Sequence, residues 1–224
     1  MPHGPAQDRG EKAGFAVTKQ ARSEQTRVHL LAAAAELLRR DGYEACSMTG
    51  ISQAAGVTKG GLYFHYSSKD EMCDAVQAEA ITVLHAFIKK QDAREPSAVR
   101  RLIYLTHALM RWLGDEAVVG ASFRMAREMG ERHGRFLAFS RAWYAQVQRY
   151  INDAEELGEL DKSAPLDISA LLIAVMCVGA EAMMSTRTGD RDMEPVKAVA
   201  GMWELVKPGL IGARGGHALP GVIA

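Results

Sequence analysis

Apolar residues recur at three- and four-residue spacing along nearly the whole chain, and no stretch alternates with period two, so the pattern predicts an all-α protein. From Gln25 to Arg40, Leu30, Leu31, Ala34, Leu37 and Leu38 share one helical face, and Asp41-Gly42 supplies the stop. Ser47 can cap a short helix through about Ala55, Gly56 breaks it, and Thr58 can cap a third helix ending near Tyr66. Ser68-Lys69-Asp70-Glu71 reads as a capping box, in which the Ser and Glu side chains serve each other's backbone donors at the head of a longer helix to Lys90. Further helices are predicted from Ser97 to Leu113, Val118 to Met129, Arg135 to Leu157 and Asp167 to Ser185. A last one follows Gly189–Asp192 and ends near Lys207-Pro208. The division that follows is a disordered arm over 1–22, a three-helix head over 23–75, a larger helical body over 76–208 and a flexible tail over 209–224, with the boundary inside the helix from Ser68 to Lys90.

Composition changes this picture little. With 48% hydrophobic and 24% charged residues, the chain is an ordinary globular one. The longest charge-free apolar stretch, Ala170 to Ala180, is short of the roughly 20 residues a membrane span needs. Residues 1–19 offer no apolar block for secretion, so a cytoplasmic protein is expected, nucleoid-associated whenever it is bound to DNA. Cys46, Cys73 and Cys177 are scattered and odd in number, which suits reduced core thiols and neither a disulfide framework nor a metal site. No metal or cofactor is expected. Charge matters more: Lys19, Arg22, Arg27, Arg39, Arg40, Lys59 and Lys69 stand against Glu24, Glu36, Asp41 and Glu44, a basic head on an acidic body in a chain of zero net charge.

The stretch from Ser47 to Tyr66 has the physics of a helix-turn-helix. Ile51, Ala54, Val57, Leu62 and either Phe64 or Tyr66 can pack two short helices on the first, while Ala55 and Gly56 allow a close turn. The second short helix then faces outward with Thr58, Lys59, Gly60 and Gly61 at its start, offering a hydroxyl, an ammonium and backbone donors with little bulk to phosphates and base edges. Tyr63 and His65 project about 200° apart on such a helix, so at least one meets DNA from the flank.

The order of hydroxyl cap, Ile51, Ala54-Ala55-Gly56-Val57-Thr58, Leu62-Tyr63, His65-Tyr66 and Lys69-Asp70-Glu71 resembles the DNA-binding region of the TetR family. The resemblance implies a helix-turn-helix head on a ligand-binding body, a homodimer formed through the last two helices, double-stranded operator DNA as partner, and repression relieved by a small effector. It makes Thr49, Gln53, Thr58, Lys59, Gly60, Tyr63, His65 and Lys69 the candidate DNA contacts. Gly50 departs from the family pattern and weakens the second helix by up to about 1 kcal/mol.

In the body, Phe139-Ser140-Arg141-Ala142-Trp143, Thr188-Gly189 and Met202-Trp203 resemble the branch of the family that senses γ-butyrolactone autoregulators, in which a tryptophan matching Trp143 lines the effector pocket. The expected effector is a small lipophilic γ-butyrolactone, butenolide or alkylfuran. Leu84, Phe87, Tyr104, Leu109, Trp112, Phe123, Val147 and Met176 are further candidates for the wall, and Tyr144 or Gln146 could anchor a polar group. Met125, Met129, Met176, Met183 and Met184 would equally suit a broad multidrug sensor controlling an efflux gene, which stands as the alternative. A more distant one is a helical enzyme using His85, His107, His133, Asp115, Glu116 and Glu128. Those residues have no nucleophile or metal spacing, and the chain is read as a non-enzyme.

Overall fold

The computed structural model describes residues 7–185 and 194–211, so Thr188-Gly189, the loop over Gly189–Asp192 and most of the expected tail lie outside the described residues. The described chain is helical: α1 (Gln7–Ala45), α2 (Met48–Ala54), α3 (Lys59–His65), α4 (Lys69–Asp92), α5 (Ala98–Asp115), α6 (Ala117–Met129), a 3-10 turn (Gly134–Leu137), α7 (Ala138–Glu156), α8 (Leu166–Ser185) and α9 (Pro195–Leu210). Among the described residues the only β pairing is a single antiparallel bridge, Leu160 with Ile211.

The caps fall where the sequence places them. Ser47 Oγ accepts from Gly50 N at 3.0 Å, Thr58 Oγ1 from Gly61 N at 3.1 Å and Ser68 Oγ from Glu71 N at 3.1 Å. The expected reciprocal arm of the capping box is shifted by one residue, because the Glu71 carboxylate accepts from Ser67 N and Ser67 Oγ, at 2.7 and 2.6 Å, instead of from Ser68. Two helix ends also differ. α1 begins at Gln7 rather than near Gln25. α9 carries Pro208 within its last turn, where its ring removes only one backbone donor, and continues to Leu210.

Two apolar cores result. The body core gathers Leu84, Leu102, Leu109, Phe123, Phe139, Trp143, Val147, Tyr150, Ile173, Cys177 and Trp203 from α4 to α9. The head core combines Leu30, Leu31, Leu38, Ile51, Leu62, Tyr66, Met72 and Val76 with Ala121, Met125 and Met129 of α6 and Phe136 of the 3-10 turn. The head is therefore completed by residues that the sequence-based division assigned to the body. Cys46, Cys73 and Cys177 are free and buried, and burial pushes the Cys73 and Cys177 thiols up to about 12, which keeps them protonated and unreactive.

α8 is apolar enough over Leu166–Met183 to cross a membrane by length and composition, a longer run than the Ala170–Ala180 stretch suggested. Its apolar residues divide between two faces. Ala170, Ile173, Met176, Cys177 and Ala180 are buried against the body, whereas Ile168, Leu171, Leu172, Val175 and Val178 are exposed.

Candidate DNA interface and effector site

In the head, Ile51, Leu62 and Tyr66 anchor α2 and α3 on α1. This settles the choice between Phe64 and Tyr66 and corrects Ala54, which is exposed. Phe64 is 80% exposed and stacks edge-on with His65 at 5.2 Å. An uncovered phenylalanine on the outward helix is a feature the sequence reading missed. Helical phase was the available signal, since Phe64 lies two positions, about 200°, round the helix from the core residue Leu62.

The outward surface of the helix-turn-helix carries Thr49, Gln53, Thr58, Lys59, Gly60 and Tyr63, all exposed, with His65 half-buried beside them. Thr58 uses its oxygen lone pair to cap α3, which leaves its O–H free to donate outward. Lys59 forms no ion pair among the described residues, while Arg27, Arg39 and Arg40 are matched to Glu24, Glu36 and Asp41. On the outward surface of α2 and α3 the basic charge is that of Lys59. Gly60 has nothing within 4 Å of a would-be Cβ, whereas a Cβ on Gly61 would lie 2.9 Å from Val57 Cγ1, so the first glycine keeps the outer surface low and the second lets the turn close. Lys69 stands apart from the group: its ammonium donates to the Tyr43 carbonyl and lies 4.0 Å over the Tyr43 ring.

Tyr43 is the start of a polar joint between head and body. Gly42 takes φ 86° and ψ 178°, kinking the end of α1. Glu128 of α6 accepts from Tyr43 N at 2.8 Å and from Arg124 Nε at 2.7 Å, while Arg124 donates to the Arg39 and Arg40 carbonyls at 3.1 and 2.6 Å, satisfying orphan acceptors of α1. Tyr43 Oη donates to Asp70 at 2.8 Å, and burial followed by that hydrogen bond pushes its hydroxyl up to about 12. Arg135 bridges Asp70, at 2.7 Å, and Asp74. Buried Gln77 of α4 then donates to the Arg135 carbonyl at 2.8 Å and accepts from Phe139 N at 3.3 Å, linking this joint to α7.

Of the candidate effector residues, Leu84, Phe87, Leu109, Trp112, Phe123, Trp143, Tyr144, Val147 and Met176 all belong to, or pack against, the body core. Phe87 meets Trp112 edge-on at 5.2 Å and Phe123 meets Phe139 at 5.9 Å. Tyr104 does not join them; it is half-buried outside that cluster. The methionines do not gather either: Met125 and Met129 lie in the head core, Met183 is exposed, and the Met184 side chain lies outside the described residues. Of the residues weighed for acid-base chemistry, His85, His133, Asp115 and Glu116 are exposed, Glu128 is committed to Tyr43 and Arg124, and His107 is buried in the body.

Comparison with known proteins agrees with this arrangement. Residues 30–76 match the bacterial regulatory proteins of the tetR family. Over 211 residues the chain is 28% identical to the A-factor receptor protein of Streptomyces griseus, covering 93% of this chain and 69% of that one. The structure is similar to a gamma-butyrolactone receptor described as ArpA-like, with a TM-score of 0.72 and 26% identity over 86% of this chain and 92% of that one. It is also similar, with a TM-score of 0.69 and 26% identity over 86% of this chain and 92% of the other, to the TetR family protein CprB from Streptomyces coelicolor in complex with its biological operator sequence. The head thus exposes a helix-turn-helix that matches the tetR family over residues 30–76, and the chain as a whole resembles the gamma-butyrolactone receptors in sequence and fold.

Proposed function

We propose that the protein is a homodimeric transcriptional repressor, working in the cytoplasm on the nucleoid, that leaves its operator when a small lipophilic autoregulator of γ-butyrolactone, butenolide or alkylfuran type enters the body. The observation that carries this reading is the whole-length similarity to gamma-butyrolactone receptors joined to a tetR head. Thr49, Gln53, Thr58, Lys59, Gly60, Tyr63 and His65 are the proposed operator contacts, with Phe64 added for apolar contact in the groove and Lys69 acting through Tyr43 as well as on phosphate. The proposed dimer forms through α8 and α9. Its support is the row of exposed Ile168, Leu171, Leu172, Val175 and Val178, a contiguous apolar face of the kind that marks an interface. In such a dimer the two recognition helices must enter major grooves roughly 34–36 Å apart, or a multiple of that, and an effector acts by favouring another separation. The scattered methionines give the multidrug alternative no support.

The test is a gel-shift titration with DNA from around the protein's own gene, in the presence of butyrolactones, butenolides, alkylfurans and unrelated drugs. Release by one lipophilic autoregulator class is the expected result. Release by many unrelated drugs would replace this reading with the multidrug one, and absence of DNA binding would remove it.

A further inference from the structure

α1 crosses the head and then runs past it. Near its C-terminal end it is tied to the body, where Arg124 of α6 reaches the Arg39 and Arg40 carbonyls and Glu128 receives Tyr43 N–H. Thirteen residues back from Tyr43, about 20 Å at the helical rise, Leu30 shares the head core with Leu62 of α3 and with Tyr66, the C-cap of that helix. The N-terminal end of α1 therefore points away from its tie to the body, and the helix continues beyond the head core to Gln7.

The turn from Glu24 to Arg27 is where α1 passes the end of α3. Glu24 is held below the usual carboxylate range by its hydrogen bond from Arg27, against desolvation, and the charges of Arg27 and of nearby His65 add to the effect. Burial pushes the Tyr66 hydroxyl up and the neighbouring Arg27 guanidinium opposes that shift, although Tyr66 Oη closes no hydrogen bond of normal geometry. Gly60 and Phe64, on the outward side of α3, lie about 200° round the helix from Leu62 in either direction, so α1 is one helix layer behind the surface that enters DNA. Packed helices lie about 8–10 Å apart, and a major groove is about 8.5 Å deep. With α3 seated in the groove, α1 rides at the level of the phosphate ridge, and its passage beyond α3 meets backbone instead of base edges.

The charges there are of the matching sign. Arg27, Arg39 and Arg40 are each paired with a carboxylate of α1, at 2.8, 2.7 and 2.7 Å. Arg22 is exposed and forms no ion pair among the described residues, while its carbonyl accepts from Thr26 Oγ1 at 2.9 Å. It stands about 7.5 Å beyond Arg27 along the helix. From Lys12 to Ser23 the sequence carries Lys12, Lys19 and Arg22 and no carboxylate at all.

We infer that the part of α1 that passes α3 is a second DNA contact, in which Arg22 and Lys19 bind phosphates of the operator backbone beside the groove that α3 enters. The inference rests on the head being a DNA-binding one, and it adds a contact outside the helix-turn-helix. A phosphate is the same at every base pair, so this contact strengthens binding and fixes the seating of the head without choosing a sequence.

The experiment is a fluorescence-anisotropy titration of the full chain with a labelled duplex from around its own gene and with an unrelated duplex of equal length, repeated over a range of salt concentrations. Lys19→Ala combined with Arg22→Ala removes two cations from each protomer of the proposed dimer. At about 0.9 per phosphate contact, the slope of log K against log salt should become shallower by about 3.6. Affinity for the two duplexes should fall by the same factor, within about twofold. Lys19→Arg combined with Arg22→Lys keeps both charges and should keep the slope. Lys89→Ala combined with Lys90→Ala removes equal charge near the far end of α4, about 30 Å along that helix from Lys69 and well beyond a Debye length of about 8 Å, and should leave the slope unchanged. Thermal melting checks that each variant is folded. A change in slope less than half that expected, an equal change in the Lys89 and Lys90 control, or a loss confined to the operator duplex overturns the phosphate contact while leaving the regulator reading intact. Binding of neither duplex by the wild type overturns both.

Discussion

Replacing Gly42 with alanine strikes the joint between head and body in two separable ways. The backbone there, at φ 86° and ψ 178°, lies in a region open essentially to glycine alone, and a side chain in it costs about 1–3 kcal/mol. A Cβ would also lie 2.5 Å from both carboxylate oxygens of Glu128. The carboxylate must then swing away, giving up Tyr43 N–H at 2.8 Å. A hydrogen bond to a charged group contributes about 1.5–3 kcal/mol, and its position near the surface selects the lower end. The expected loss for Gly42→Ala is about 3 kcal/mol in all, a fall in Tm of roughly 6–12 °C for a chain of this size. A double-mutant cycle with Glu128→Ala separates the two effects. Once Glu128 is gone, Gly42→Ala costs only the backbone strain, so the double variant should be about 1.5 kcal/mol more stable than the sum of the single losses predicts. Melting followed by far-ultraviolet circular dichroism, at one fixed protein concentration because the protein is expected to dimerise, measures both quantities. A loss below about 0.5 kcal/mol for Gly42→Ala, or additivity within about 0.5 kcal/mol, would refute the reasoning.

Three further outcomes follow from the geometry. Gly60→Ala meets nothing in the fold and gains helix propensity, so its Tm should hold or rise while operator affinity in a gel shift falls by about tenfold; Gly61→Ala, whose Cβ strikes Val57, should lower Tm. Leu171→Asp combined with Val175→Asp puts charge on the exposed face of α8, where each apolar side chain is expected to contribute about 1.5–3 kcal/mol on burial in the dimer; sedimentation should show monomers at concentrations where the wild type is dimeric. Asp92 is opposed by burial but held below the usual carboxylate range by Arg149, Tyr150 and Arg101, so its contribution is present above the ordinary aspartate pKa and disappears as pH falls through the lowered folded value. Asp92→Asn should cost about 2 kcal/mol at neutral pH and little in strong acid, as read from denaturant unfolding across that range, and a loss independent of pH would sink the assignment.

What could be read from the chain beforehand depended on how local its cause was. Ser47, Thr58 and Ser68 cap their helices through contacts three residues away, and such contacts are legible in order alone. The helix-turn-helix is legible for the same reason, since Ile51, Leu62 and Tyr66 answer a pattern within one short segment. Glu128 is the opposite case. Nothing in its neighbourhood on α6 indicates that its carboxylate receives Tyr43 N–H from the far end of α1. Met125 and Met129 mislead similarly, because helical spacing reports that they are buried without saying in which of two cores.

That division of the cores bears on how a signal could cross the molecule. α6 contributes Ala121, Met125 and Met129 to the head and Val119 and Phe123 to the body, so a single helix of about three and a half turns has one face in each core. Packed interiors do not deform continuously, and a displacement of Phe123 by a ligand must be met by a shift of the whole helix or by none. On the proposed mechanism, taking the protein from 1% to 99% released requires about 5.5 kcal/mol of differential effector binding. α6 is tied to the head by the polar contacts of Arg124 and Glu128 with α1, at or near the surface and each contributing about 1–2 kcal/mol. Prying Met125 and Met129 from the head core would add several kcal/mol for each side chain exposed. The effector is therefore expected to move α6 and the head together, keeping both the polar and the apolar contacts between them while α6 shifts against the rest of the body. Weakening that tie with Arg124→Ala should raise the effector concentration needed for operator release, and a variant that released at an unchanged or lower concentration would place the coupling elsewhere.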